Sequence, residues 1–151
     1  MTTQVTTVRP TDTLKQATIK FALDNVTSAP VVDNRNHALG IISENDILNI
    51  ILMYQKKLTR DLVPHNLLAI PMDGEVEDPQ VIEANRAISE MKVEEVMRRS
   101  VLYTTPDAEI IEALRAMMTL DVNRLPVLEK GVVVGMISRS DVIFYIYKRK
   151  V

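Results

Sequence analysis

The sequence predicts an α+β fold built from two tandem copies of one strand–helix–strand–strand–helix unit. Three observations carry that expectation. The first is self-similarity: a shift of 96 residues superposes Met1 on Met97, Val5 on Val101, Pro10 on Pro106, Ala17 on Ala113, Val26 on Val122, Pro30 on Pro126 and Val31 on Val127. After a one-residue deletion the shift becomes 95 and matches Gly40 with Gly135, Ile42 with Ile137, Ser43 with Ser138 and Asp46 with Asp141. Internal repetition of this kind marks a duplicated structural unit. The second is that many of the matched residues are Pro, Gly and a Ser–Asp pair, which punctuate secondary structure. The third is composition: 151 residues, 46% hydrophobic and 25% charged, is a soluble globular balance with room for one domain or two small ones sharing a core.

Each copy reads in the same order. A short extended piece, 5–8 or 101–104, runs into a proline and then a helix. Leu14, Ala17, Phe21 and Ala22 share one face of the first helix; Ile110, Ala113, Leu114, Met117 and Met118 share one face of its counterpart. Thr11 and Asp107, just after the prolines, are the expected N-caps. An apolar strand starts at Pro30 or Pro126, followed by a turn at 34–37 or 129–131 and a second strand at 38–42 or 132–137. A last helix opens near Ser43 or Ser138. Residues 1–55 thus form the first unit and 93–151 the second. The segment 56–92 does not repeat: Asp73, Glu75, Glu77 and Asp78 crowd beside Gly74 between Pro71 and Pro79, as in a solvated loop. A linker helix is expected over 81–91, with Ile82, Asn85, Ile88 and Met91 as its stripe.

Composition also excludes functions. The net charge of −2 argues against a protein that neutralises a nucleic-acid backbone, and 4% aromatic residues without Trp leave no base-stacking platform. With no cysteine there is no disulfide framework or thiolate metal site. The most apolar stretch, 47–54, is too short to span a bilayer and nothing at the N-terminus reads as a signal peptide, so a cytoplasmic location is expected. His37 and His65 have no metal-ligand spacing, and four glycines make neither a dinucleotide nor a Walker fingerprint. The eight methionines read as core filling, and Arg98-Arg99 and Lys148-Arg149-Lys150 as solvated faces.

The residues that point to a ligand are Gly40-Ile-Ile-Ser43-Glu-Asn-Asp46 and Gly135-Met-Ile-Ser138-Arg-Ser-Asp141. Glycine permits close backbone approach, serine opens a helix, and the aspartate falls in the first turn. Unpaired N–H groups at a helix start hold a phosphate, and a carboxylate accepts two hydrogen bonds from a vicinal diol such as that of ribose. The competing reading is purely local, because Ser-x-x-Asp is close to a capping box.

With the Ala/Leu-Pro-Val-Val/Leu strand start and the Gly-h-h-Ser-x-x-Asp close, the chain resembles a stand-alone CBS-domain pair, also called a Bateman module, over nearly all of its length outside 56–92. The resemblance implies two CBS-type β-α-β-β-α units packed about a pseudo-two-fold axis, with small mixed sheets and helices on one side. It also implies inter-unit clefts that bind adenine nucleosides or nucleotides (AMP, ADP, ATP or S-adenosylmethionine) and a disc-like homodimer. Transferred position by position, it implies Asp141 and Asp46 as ribose readers, Ser138 and Ser43 as helix-start hydroxyls, and Ser140 and Asn45 beside the acids. Asn123 and Arg124, or Thr27 and Ser28, would face phosphate or base, with Pro126 or Pro30 flanking the adenine and Tyr103 or Thr7 in the extended lead-in. Arg124 and Arg139 stand where the first copy has Ser28 and Glu44, so the Asp141 cleft is the expected site for a phosphorylated ligand and the Asp46 cleft the weaker one. The lead-in at 93–97 has no counterpart ahead of Met1, so the first unit's opening strand is expected to be missing.

The expected function is regulatory rather than catalytic, with no required cofactor or metal and no membrane partner. Ligand would favour one arrangement of units or subunits, and a separate effector protein would read it. The alternative is a ligand-free dimerisation or partner-binding module in which both Ser–Asp pairs are caps only.

Overall fold

The computed structural model describes residues 4–59 and 79–149. His65 and the acidic cluster at 73–78 lie outside these. The first copy comprises α1 (Leu14–Asp24), β1 (Ser28–Val32), β2 (Ala38–Ser43) and α2 (Glu44–Thr59). The connecting region contributes α3 (Pro79–Glu90) and a single turn, α4 (Val93–Val96). The second copy comprises α5 (Ile110–Thr119), β3 (Arg124–Glu129), β4 (Val132–Ser138) and α6 (Arg139–Arg149).

Each hairpin is antiparallel, and the two share a register. Ser28 faces Ser43 and Val31 faces Gly40 in the first; Arg124 faces Ser138 and Val127 faces Gly135 in the second. Both carry a bulge after the residue paired with glycine, at Val31/Val32 and Val127/Leu128. The one-residue deletion therefore lies in the turn, which is tight in the second copy, with Lys130 and Gly131 both at positive φ (53° and 84°). A third, parallel neighbour joins each hairpin: Val8 pairs with Val31, and Thr104 with Val127. The sheets are thus small and mixed, as the resemblance implies.

The helices start later than the prolines suggest. Arg9 N donates to the Asp12 carboxylate at 2.9 Å and Asp12 N donates to Arg9 O at 3.1 Å, so residues 9–12 close a turn of their own. Thr13, not Thr11, is the N-cap of α1: its Oγ1 accepts from Gln16 N and the Gln16 side chain accepts from Thr13 N, a full capping box. The second copy's helix also starts late, with Glu109 rather than Asp107 at the cap position but without a side-chain cap hydrogen bond. Leu14, Ala17 and Phe21 are buried, whereas Ala22 is exposed; Ala113 and Met117 are buried, whereas Met118 is exposed.

The linker helix α3 buries Val81, Ala84 and Ile88 and lies against α1 and α2. The stripe expected through Ile82 and Asn85 is off by one position: Ile82 is 48% exposed, and the small Ala84 is what allows close helix approach. Beyond it, Val93 N donates to Asp12 O and Glu94 N to Pro10 O, while Arg98 and Ile41 exchange both backbone hydrogen bonds at 2.8–2.9 Å. Val93 and Met97 are buried in the same cluster as Val8, Phe21 and Ile42. The lead-in of the second copy therefore packs on the first copy and covers the outer edge of β2.

The two copies join turn to turn. Ala38 N donates to Gly131 O, Val133 N to Asn36 O, and the Asn36 amide to Val133 O at 2.7 Å. Val32, Leu128 and Val133 form a small core shared by both units.

Candidate functional site

In both copies the serine ends a strand and the aspartate lies one turn into the following helix. Ser43 N donates to Asp46 Oδ2 at 2.9 Å, and Ser138 N donates to Asp141 Oδ2 at 2.8 Å. The backbone N–H of each aspartate returns to the serine hydroxyl, at 3.3 Å and 3.1 Å. The capping geometry is thus present twice, and it uses one carboxylate oxygen, Oδ2, in each case. What the other oxygen faces separates the copies. Asp46 Oδ1 lies 3.3 Å from Arg98 Nε. Among the described residues no cation lies within ion-pair distance of Asp141.

Asp141 lines a cavity of about 530 Å³ made by both units, with Ser138 and Arg124 from the second and Thr6, Asp24 and Ser28 from the first. That volume falls within the roughly 300–1,000 Å³ typical of small-molecule sites. A second inter-unit cavity of about 320 Å³ holds Thr27, Ser28, Ser43 and Asn45 together with Arg98, Asn123 and Arg124. Asp46 does not face it; Arg98 does.

Several predicted residues sit elsewhere. Asn123, expected beside Asp141, faces the smaller cavity and, with Ser140 and Arg139, a recess of about 410 Å³ that shares Arg124 with both cavities and Ser138 with the larger. Arg139 donates to the Val122 and Met117 carbonyls at 3.2 and 3.3 Å and lies 3.4 Å from the Asp121 carboxylate. Its charge closes the C-terminal end of α5, so the expected second cation for the Asp141 cleft is not there. Arg124 remains, and among the described residues no side chain engages its guanidinium. Pro30 and Pro126 are fully buried within their strands. Tyr103 is 55% exposed and lines a separate recess beside α5 with Thr104 and Glu112. The Thr7 carbonyl accepts from Lys20 Nζ at 3.1 Å, and Thr7 lines neither inter-unit cavity.

Three cavity-lining residues were not read from the sequence. Asp24 and Thr6, hydrogen-bonded at 2.7 Å, line the larger cavity, and Arg98 reaches the first copy from 55 positions beyond Ser43. Only Arg98 left a signal, as the residue next to the matched Met97. Among the described residues no group of His, Asp and Glu converges as a metal site, and no helix is long and apolar enough to cross a membrane.

Two hairpin units join turn to turn with cavities between them, as the resemblance implied of the clefts, and the CBS domain family model matches residues 1–53 and 93–148. The chain belongs to the CBS-domain family. It is 30% identical over 125 residues to the protein MJ1426 of Methanocaldococcus jannaschii, across 82% of this chain and 74% of that one. Other curated relatives are longer, and the CBS pair spans between 23% and 66% of each. Among solved structures, it resembles the CBS domain of a CBS domain containing membrane protein from Sphaerobacter thermophilus (TM-score 0.64, 28% identity, 93% of this chain and 80% of that one). It shares its fold with CBSX2, solved in complex with AMP (TM-score 0.70, 20% identity, 100% of this chain and 95% of that one).

Proposed function

We propose that this CBS pair is a cytoplasmic regulatory module that binds an adenine nucleoside or nucleotide in the cavity lined by Asp141. The observation that carries this reading is the Asp141 carboxylate on the wall of a 530 Å³ cavity built from both units, with one oxygen used for capping and no cation upon it among the described residues. The free oxygen suits a ribose diol, and Arg124 suits a phosphate. The AMP bound by CBSX2 supports the ligand class by analogy of fold. Ligand held between two units favours the arrangement it fits, and that bias is what a partner reads.

A homodimer belongs to the same proposal. Helix α6 exposes Ile143, Phe144, Ile146 and Tyr147, with Phe144 at 76%, and α2 exposes Leu48, Leu52 and Met53. Apolar faces of this kind mark association surfaces. This observation equally favours the second reading, a dimerisation module with no small ligand.

Thermal shift with AMP, ADP, ATP and S-adenosylmethionine separates the two. A ligand at one hundred times its Kd stabilises by about 2.7 kcal/mol, a rise of about 5–11 °C in Tm. Asp141→Asn retains an oxygen for Ser138 N while removing the charge, so it abolishes the ligand shift and leaves the unliganded Tm close to native. A native chain that shifts with none of the four compounds, yet dimerises in light scattering, establishes the second reading.

A further inference from the structure

We infer that Arg98 is a built-in ligand of the first unit's carboxylate, so that the chain presents one diol-reading cleft rather than two. This rests on the reading that Asp141 receives a sugar diol, and it assigns the stoichiometry of that function to a residue outside both Ser–Asp motifs.

The two carboxylates begin equivalent. Each lies three residues after its serine, and each gives Oδ2 to the serine N–H. In the first copy the Ser43 hydroxyl also donates to Oδ2, at 3.0 Å. The remaining oxygen, Oδ1, faces Arg98 Nε at 3.3 Å, while Arg98 Nη2 lies 3.5 Å from Ser43 Oγ. The Asp46 side chain is only 13% exposed and that of Arg98 is 61% exposed, so the guanidinium lies outside the carboxylate and screens it. Arg98, not Asp46, lines the 320 Å³ cavity. At the motif position a diol entering there meets the Arg98 guanidinium where the larger cavity offers the Asp141 carboxylate, although Glu44 and Asp121 also line the wall. To reach Asp46 Oδ1 the diol's hydroxyls would have to displace the Arg98 guanidinium already paired with it.

Arg98 is held in place by its backbone. It exchanges two hydrogen bonds with Ile41, and its carbonyl lies against Gly40, where an added Cβ would be 2.6 Å away. By the 96-residue shift its counterpart is Thr2, which carries no charge. The asymmetry at the two carboxylates therefore comes from the lead-in segments.

The test is isothermal titration calorimetry of the full chain with adenosine and with AMP. The native protein is expected to bind one molecule per chain, Asp141→Asn none, Arg98→Ala two, and the Arg98→Ala/Asp141→Asn double variant one. Arg98→Met, which keeps the aliphatic stem, is expected to match Arg98→Ala, and thermal melts show whether either variant is folded. Two sites in the native chain, or no added site in either folded Arg98 variant, overturns the inference. Failure of the underlying function looks different. The native chain then binds neither compound, or Asp141→Asn leaves its binding unchanged, while a site gained on removing Arg98 still supports the screening role.

Discussion

Ser28 and Arg124 occupy corresponding positions in the two copies, and each lines both inter-unit cavities. They open β1 and β3 opposite Ser43 and Ser138, so the pseudo-two-fold relation places one hydroxyl and one guanidinium between the clefts. A duplicated scaffold thus carries an unequal charge at its centre, and that inequality shapes what the clefts can hold.

Arg124→Ala is expected to weaken AMP binding by about 10- to 100-fold, the scale of a lost hydrogen bond to a charged group. Adenosine, lacking a phosphate, is expected to bind as it does to the native chain. Calorimetry with both compounds measures the difference, and an equal loss for the two would show that Arg124 acts on the fold rather than on a phosphate.

The capping assignment separates two neighbouring threonines. Thr13→Ala removes the acceptor for Gln16 N at 3.1 Å and is expected to cost about 1 kcal/mol, or about 2–4 °C in Tm. Thr11→Ala, at an exposed turn position, is expected to change Tm by no more than about 1–2 °C, since such surface substitutions stay within about 0.5 kcal/mol.

Gly40→Ala is expected to destabilise by about 1–3 kcal/mol, because the new Cβ would sit 2.6 Å from the Arg98 carbonyl, which is itself fixed by strand pairing. Urea denaturation reads the loss. A near-native midpoint would mean that the 97–98 segment can move away from β2 at little cost.

The Asp33 carboxyl is held below its ordinary value, first by the His37 backbone N–H and further by the Arg35 N–H and the His37 imidazole; burial opposes them more weakly than the first. A depressed carboxyl contributes stability that is present above its unfolded value and lost as the pH falls through its folded value. The turn that carries the inter-unit contact is therefore expected to hold steady from neutral pH down to about pH 4, the ordinary carboxylate range, and to loosen below it. Amide exchange at Ala38, which donates to Gly131 O, follows the change. Asp33→Asn is expected to flatten that dependence.

Local chemistry explains what the sequence could reveal. The hairpins were legible because their Pro, Gly and Ser–Asp residues act on the backbone within a few positions, and registers such as Val31–Gly40 follow from them. The N-caps were misread because Pro10 and Pro106 announce a turn, and Asp12 closes that turn before the helix can begin. The α3 stripe was misread because Ala84 carries little hydrophobic weight although its small size permits the packing. Part of the Asp141 cavity's lining was legible, since Ser138, Asp141 and Arg124 come from the motif and the strand start. Asp24, Thr6 and Arg98 were not, because they arrive through contacts between distant segments. Arg139 misled because a charge in a sequence carries no direction, and α5's terminal carbonyls claim it.

The placement of Val93 and Met97 within the first copy's core means that the repeat seen along the chain is not the unit that can be cut from it. A fragment halted ahead of residue 93 would keep every duplicated motif of the first half. It would still lose two buried side chains and leave β2 with a bare hydrogen-bonding edge, the kind of edge that recruits other molecules. Dissecting this protein by its duplicated sequence would therefore yield a half prone to aggregation rather than a working module.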